Sequence, residues 1–347
     1  TLTPDESEAA VAIPVTAPEK WDAEHPNLYT LEARVVVDGA EVQSLSKRFG
    51  FREIKVEGNQ LFVNGKEVKL RGVNRHDIYP PTGRAVTPEL VEEDVRLFRD
   101  ANINFIRTSH YPPREDFLEF CDEYGIYVED EIAVAFVYQA IQPTQNDPAF
   151  TANYMNQFTE MIERDQSHPC VIMWSLANES YWGRNFEKQY QYAKAADPSR
   201  PTIFSYPITQ PEGTRHYDIW SLHYASWDED PAKKSDNFDS GEVWGHDAPV
   251  IHDEFAHIPC YDTDEQMRDP SVRDFWGESI KRWWESIFPR QGALGSAIWG
   301  SIDDVMITPE SYTRWREWGI IDGWRRKKPE YWLTQKGYSP IRVPDRS

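Results

Sequence analysis

Cysteine is scarce in this 347-residue chain: Cys121, Cys170 and Cys260 are its only three. They are too few and too scattered for a disulfide framework or a zinc knuckle. Cys121 falls in a helical pattern and Cys170 enters a strand, so both read as buried thiols. Long apolar runs are missing too, and none approaches the roughly 18 residues a membrane span requires. Positive charge is in deficit, with 37 Lys plus Arg against 58 Asp plus Glu and a net charge of −21. Such a surface repels phosphate backbones and anionic lipid, which excludes nucleic acid and membrane surfaces as expected partners. No G-x-G-x-x-G follows a strand, and neither H-x-H nor H-E-x-x-H occurs, so dinucleotide binding and zinc hydrolysis lack their signatures. The first residues, "TLTPDESEAA", contain no initiator Met. The expectation is that residues precede them, and the lack of a leader then says nothing of compartment. An acidic, cysteine-poor chain fits bacterial cytoplasm or periplasm equally.

What is abundant is aromatic. Trp and Tyr number 14 and 17, enough for a core and for a cleft in which aromatic faces pack against sugar rings. Residues 1–58 read as β. "NLYTLEARVVVDGAEVQ" alternates and turns at Asp38-Gly39, and "QLFVNGKEVKL" turns at Asn64-Gly65, both strong hairpin signals. Two or three strands cannot close a sandwich alone, so this segment is expected to be the last part of one. The barrel domain is expected over 59–347, and from about residue 67 the rhythm becomes strand, loop, helix. "VKLRGVNRH", "NFIRTSH", "IYVEDEIAV", "VIMWSLANE", "TIFSYP", "IWSLHY", "VIHDEFA" and "LGSAIWGS" make eight strands. Helical patterns separate most of them, such as the one that Thr87 caps with Pro88 at its first position. Eight such units over 59–347 predict a (β/α)8 barrel.

In a barrel of this kind the chemistry sits where strands emerge at the C-terminal face. The strand ends supply Asn74, Arg75, His76 and Asp77; Arg107 and His110; Asn178 and Glu179; His223 and Tyr224; Asp253, Glu254 and His257; and Trp299. A single Glu at a strand end is usually a solvated or salt-bridged group. Two of them, each directly after an apolar run and on opposite strands, suit glycosidic cleavage, one protonating the leaving oxygen and the other attacking the anomeric carbon. Glu179 would have to be protonated, and Glu254 ionised with the help of Arg107 and a tyrosine hydroxyl. His252, Asp253, Glu254 and His257 could instead form a metal cluster. Strand alternation, however, sends His252 and Asp253 to opposite sides, and no metal is expected. Trp283 and Trp284 lie on a helix and are expected to pack against the barrel.

"FGFREIKVEGNQLFVNGKEVKLRGVNRHD", "NFIRTSHYP", "CDEYGIYVEDE", "RDQSHPCVIMWSLANES" and "DPSRP" together closely resemble the catalytic part of glycoside hydrolase family 2, which holds β-galactosidases, β-glucuronidases and β-mannosidases. The resemblance runs from about residue 18 to about residue 340. It implies an immunoglobulin-like β-sandwich feeding a TIM barrel, retaining exo-hydrolysis of a carbohydrate substrate, and no cofactor. It implies Glu179 as acid/base, Asn178 as the ligand of the sugar 2-hydroxyl and Glu254 as nucleophile. His76, Arg107, His110, Tyr224 and Trp299 match positions of the family's pocket; His223 and His257 join them here as strand-end candidates for binding sugar. "DEFAH" and "SLHYA" lean toward β-galactosides. The metal-dependent β-galactosidases carry E-T-H-G after the third strand, whereas this chain has Ile132 to Phe136, so their magnesium site is expected to be absent. "DEIAVAF" looks like the glucuronidase form of that strand. The N-x-K motif of glucuronidases is lacking, although Arg325, Arg326, Lys327 and Lys328 lie nearby. β-Galactoside is therefore expected first and β-glucuronide second. A non-catalytic carbohydrate-binding barrel is the alternative of another class, and a homo-oligomer is compatible with the sequence.

Overall fold

The computed structural model describes residues 11–139, 142–209, 216–224, 247–256, 270–307 and 313–341. A hairpin comes first, formed by β1 (Tyr29–Val37) and β2 (Ala40–Phe49), antiparallel and joined at Asp38-Gly39 as the turn residues predict. Nearly every residue of both strands is exposed, including Leu31, Val35 and Leu45. The hairpin therefore builds no core of its own. A small three-stranded sheet comes next, made of β3 (Ile54–Glu57), β4 (Gln60–Val63) and β5 (Lys66–Glu67).

The rest is a (β/α)8 barrel. Its strands are β6 (Leu70–Asn74), β7 (Phe105–Arg107), β8 (Tyr127–Glu131), β9 (Val171–Asn178), β10 (Thr202–Ser205), β11 (Trp220–His223), β12 (Val250–Phe255) and β13 (Ala293–Ile298). All run parallel; β13 pairs with β6, and a bridge from Ile203 to Ile219 brings β10 to β11 and closes the ring. Six helices of the described residues surround it: α1 (Pro88–Asp100), α2 (Glu115–Tyr124), α3 (Thr151–Asp165), α4 (Arg184–Ala196), α5 (Pro270–Ile287) and α6 (Pro329–Gly337). Most of the strands are largely apolar because both of their faces are covered, and almost every strand residue is buried, including the carboxylates Glu129, Asp130 and Glu131 of β8. Helix α1 starts as its sequence dictates, with the Thr87 hydroxyl accepting from Leu90 N and Pro88 in the first turn. Helix α2 stops at Gly125, whose φ of +71° is left-handed and whose Cα lies so near Ala23 O that a Cβ would stand 2.4 Å from it.

Trp21 and Arg52 pin the N-terminal segment to the barrel. Trp21 is fully buried, donates from Nε1 to Asp122 O at 2.8 Å and meets Tyr127 edge-on. Arg52 donates to Pro169 O and Val171 O at the start of β9. The "DPSRP" block has a similar structural task, since Arg200 donates to Val171 O, Gln166 O and His168 O. Trp283 packs against His252 and Phe255 of β12, as expected, while Trp284 meets Tyr338 just past α6. Cys121 and Cys170 are buried free thiols. Among the described residues no helix is long and apolar enough to cross a membrane.

Candidate active site

Two register shifts shape the mouth of the barrel. On β9 three residues oppose two of β10, because Ser175 pairs with Ile203 and Asn178 with Ser205. On β12 the same happens against β11: Ile251 pairs with Ser221 and Glu254 with His223. An extra residue turns the next side chains along the strand to the other face. Ser175 points inward, donating to Glu131 Oε2 at 2.8 Å. Strict alternation would send Asn178 outward, yet its Oδ1 accepts from Arg107 inside the barrel at 2.8 Å. On β12, His252 faces outward against Trp283 and Asp253 inward, where it accepts from Ser221 Oγ. The shift then turns Glu254 into the mouth as well. The chain next bends sharply: Glu179, Tyr206, Tyr224 and Ala256, each just past a strand end, all have φ between +35° and +56°. Non-glycine residues adopt this region at a cost of about 1 kcal/mol or more each, and such costs gather at functional sites.

Arg107 is the hub. Fully buried, it donates to Glu131 with both Nε and Nη2 at 2.9 Å, to Glu254 Oε1 at 2.7 Å, to Asn74 Oδ1 at 3.1 Å and to Asn178. Glu254 also accepts the Tyr224 hydroxyl on Oε2. Burial pushes the Glu254 carboxyl up, but His223, Arg107, His110 and the Tyr224 hydroxyl outweigh it and hold the group below the ordinary glutamate range. Glu179 is half-open to the mouth, its side chain 19% exposed, and its Oε1 lies 2.8 Å from His223 Nδ1. An oxygen of Glu179 and an oxygen of Glu254 lie within 4.8 Å of each other.

Trp299 and two histidines form one wall. The His110 ring stacks on Trp299 at 5.3 Å, and His76 meets the same indole edge-on at 5.1 Å. His110 Nδ1 is 2.8 Å from Glu131 Oε1. Burial, with His110 and nearby arginines adding to it, depresses His76 well below the ordinary histidine range, so that it is neutral. The structure thus brings His76, Arg107, His110, Asn178, Glu179, His223, Tyr224, Glu254 and Trp299 around one hollow. His257 lies outside the described residues. Glu131 and Tyr206 join the site without any expectation from sequence, and Asn74 proves to be a ligand of the arginine hub. Alternation along "YVEDE" points Glu129 and Glu131 to the same side, a signal that could have located Glu131; only the closed barrel reveals that Tyr206 stacks on His223 at 4.9 Å.

Among the described residues, two groups bring three potential metal-ligand atoms within 4.8 Å: Glu179, His223 and Glu254, and Asp122, His168 and Cys170. The second is a buried hydrogen-bond network, with Asp122 Oδ2 2.6 Å from His168 Nδ1 and Oδ1 accepting from Cys170 N at 2.9 Å. The tail of the third strand carries no ligand for a site of the E-T-H-G type; Phe136 N donates to Asn178 O and Asn178 N to Val134 O, tying that tail to β9. The basic stretch near the C-terminus is engaged elsewhere. Arg325 is paired with Asp94, Arg326 with Asp322 and Lys328 with Asp303, while Lys327 lies over Tyr331 and Trp332.

A closed barrel whose C-terminal mouth holds two facing carboxylates, an arginine hub and an indole wall defines a class of sugar-handling site. The family model for the "Glycosyl hydrolases family 2, TIM barrel domain" matches residues 54–342, and the model for "Glycosyl hydrolases family 2" matches residues 1–52. The chain belongs to glycosyl hydrolase family 2. A β-galactosidase of Leuconostoc mesenteroides is 29% identical over 311 residues, which is 88% of this chain and 28% of that protein. A β-galactosidase of Alteromonas mediterranea is 36% identical over 251 residues, 70% of this chain and 24% of that protein. The chain thus spans about a quarter of the length of these relatives. Among solved structures, a GH2 β-galacturonidase from Eisenbergiella tayi bound to galacturonate matches with a TM-score of 0.79 at 25% identity, covering 94% of this chain and 60% of that one. A β-D-glucuronidase from Dictyoglomus thermophilum has the same TM-score and coverage at 22% identity, a likeness of fold.

Proposed function

We propose that this chain is the catalytic barrel of a retaining exo-β-glycosidase acting on β-galactosides. The observation that carries the mechanism is the separation of the two carboxylates. An oxygen of each lies within 4.8 Å of an oxygen of the other, which supports the close spacing of direct displacement, roughly 5–5.5 Å between carboxyl groups, over the roughly 6.5–9.5 Å that admits a water between sugar and base. Glu254, ionised and oriented by Arg107 and Tyr224, attacks the anomeric carbon. Glu179, which opens to the mouth, gives a proton to the leaving oxygen and then takes one from the water that releases the sugar. Asn178, fixed by Arg107, is placed in this reading to meet the 2-hydroxyl, and Trp299 to carry the apolar face of the ring.

The β-galactosidase relatives support the galactoside reading. So does the pairing of Arg325, Arg326 and Lys328 with Asp94, Asp322 and Asp303, since a uronate needs a cation to meet its carboxylate. The second reading, a β-uronide, is favoured by the likeness to the galacturonate-bound Eisenbergiella tayi structure. Incubating the full-length protein with nitrophenyl β-galactoside, β-glucuronide, β-galacturonide and β-mannoside separates the two. Release from the galactoside with β-galactose as the first product is expected. Preference for a uronide replaces the substrate, and an α product overturns the mechanism.

A further inference from the structure

We propose that His223 is a positioning residue whose imidazolium, wedged between the two carboxylates, holds Glu254 ionised and fixes the place of Glu179 without touching sugar. The proposal rests on the reading of Glu179 and Glu254 as the acid and nucleophile. Its side chain is 1% exposed, so it stands behind the hollow and not in it. Nδ1 lies 2.8 Å from Glu179 Oε1 and 3.6 Å from Glu254 Oε2. Nε2 lies 2.9 Å from Ser205 Oγ and 3.3 Å from Asp253 Oδ1. Tyr206 stacks flat on one face of the ring and Tyr224 meets it edge-on, which fixes its plane.

Nδ1 faces the carboxylates of Glu179 and Glu254, and Nε2 faces the Ser205 hydroxyl first and the Asp253 carboxylate behind it. The cation donates on both sides, whereas a neutral imidazole with its proton on Nδ1 accepts from Ser205 and turns a lone pair toward Asp253. Glu179 faces the ring from the end of β9, Ser205 and Tyr206 from β10, Tyr224 from its own strand, and Asp253 and Glu254 from β12; Arg107 reaches Glu254 from the opposite side. Burial alone would lower the His223 pKa, but Glu254 and Asp253, with hydrogen bonds to Asp253 and Glu179, raise it to about 10.

The arrangement gives the cation a use at each stage. In the free protein the cation holds Glu254 ionised for attack. Once Glu254 is esterified by the sugar it carries no charge, and the Nδ1 contact still fixes the place of the Glu179 carboxyl. His223 itself neither gains nor loses a proton.

Two measurements test this. The first is the pH profile of kcat/KM for His223→Gln, a side chain that keeps hydrogen-bonding capacity without the charge. The acid limb should move to higher pH, by about one unit, because Glu254 loses a neighbouring cation. An unmoved acid limb in a variant with lowered kcat reduces His223 to a packing residue and overturns the proposal. The second is the imidazole ¹⁵N shifts of His223 in the wild-type full chain, which need neither turnover nor a variant that folds. Both nitrogens should remain protonated from about pH 5 to pH 9, and an imidazole that titrates between about pH 6 and 7 overturns the proposal. If the wild type cleaves no glycoside, the proposed function fails while the ¹⁵N result still decides the state of His223.

Discussion

Glu179 and Glu254 reach toward each other from β9 and β12, an oxygen of one within 4.8 Å of an oxygen of the other. Their surroundings differ. Glu254 is buried and accepts hydrogen bonds from Arg107 and Tyr224, whereas Glu179 opens to the mouth and contacts His223. If these surroundings set separate roles, the two residues must fail differently. Glu179→Gln should slow poor leaving groups by about 10²–10⁴-fold and leave an activated dinitrophenyl glycoside far less affected. Glu254→Ala should lose both, and azide should return turnover as an α-glycosyl azide. Equal losses in Glu179→Gln on both substrates would remove its acid role.

Tyr224 offers a finer test of Glu254 as the proposed nucleophile. A hydrogen bond from its hydroxyl to a charged oxygen is worth about 1.5–3 kcal/mol, so Tyr224→Phe should lower kcat/KM by about 10–100-fold. The sign of the pH effect comes from the same bond. Glu254 is held below the ordinary glutamate range in part by this hydroxyl; without it the carboxyl protonates at higher pH and the acid limb of kcat/KM shifts upward. A large loss of rate with an unmoved acid limb would leave the hydroxyl a substrate contact only.

Glu129 carries a prediction about stability. It is fully buried on β8, with Arg107 Nε at 3.5 Å. Burial and the nearby Asp253 raise its pKa well above the ordinary value, and Arg107 does not reverse this. The folded protein therefore holds Glu129 neutral where the unfolded chain would ionise it, so its contribution to stability declines as pH rises above about 4.3. Glu129→Gln should raise Tm at pH 7, by roughly 2 °C for about 1 kcal/mol, and the gain should vanish near pH 4. A lowered Tm at pH 7 would mean that Glu129 is an ionised partner of Arg107.

Trp21 tests the seam between the N-terminal segment and the barrel. Its indole is fully buried, donates to Asp122 O and meets Tyr127. Trp21→Ala should cost about 3–5 kcal/mol in denaturant unfolding. The Michaelis constant should not change, because the side chain lies against α2 and β8 and far from the mouth residues in their contacts. A shifted KM with unaltered stability would refute that separation.

Much of this architecture is legible in the sequence. The hairpin turns at Asp38-Gly39 and Asn64-Gly65 fall where their residues predict, because positive φ at those positions selects Asn, Asp and Gly. Most of the eight strand cores are readable as short apolar runs, since strands covered on both faces carry apolar side chains on both, whereas β8 carries Glu129, Asp130 and Glu131. Strand ends also mark most of the mouth, from His76 to Trp299. The hub is less visible. Sequence points to Arg107 as the helper of Glu254, but its bidentate grip on Glu131 and its bond to Asn178 join three strands that the chain separates by up to 71 positions.

The sequence alone determined which groups stand at the ends of which strands, because apolar periodicity marks where each strand stops. Closure of the barrel decided which way those groups face. Strict alternation turns Asn178 and Glu254 away from the interior, and only pairing with β10 and β11, with an extra residue on β9 and on β12, turns them back. Register of that kind is a property of neighbouring strands, and no strand carries it by itself.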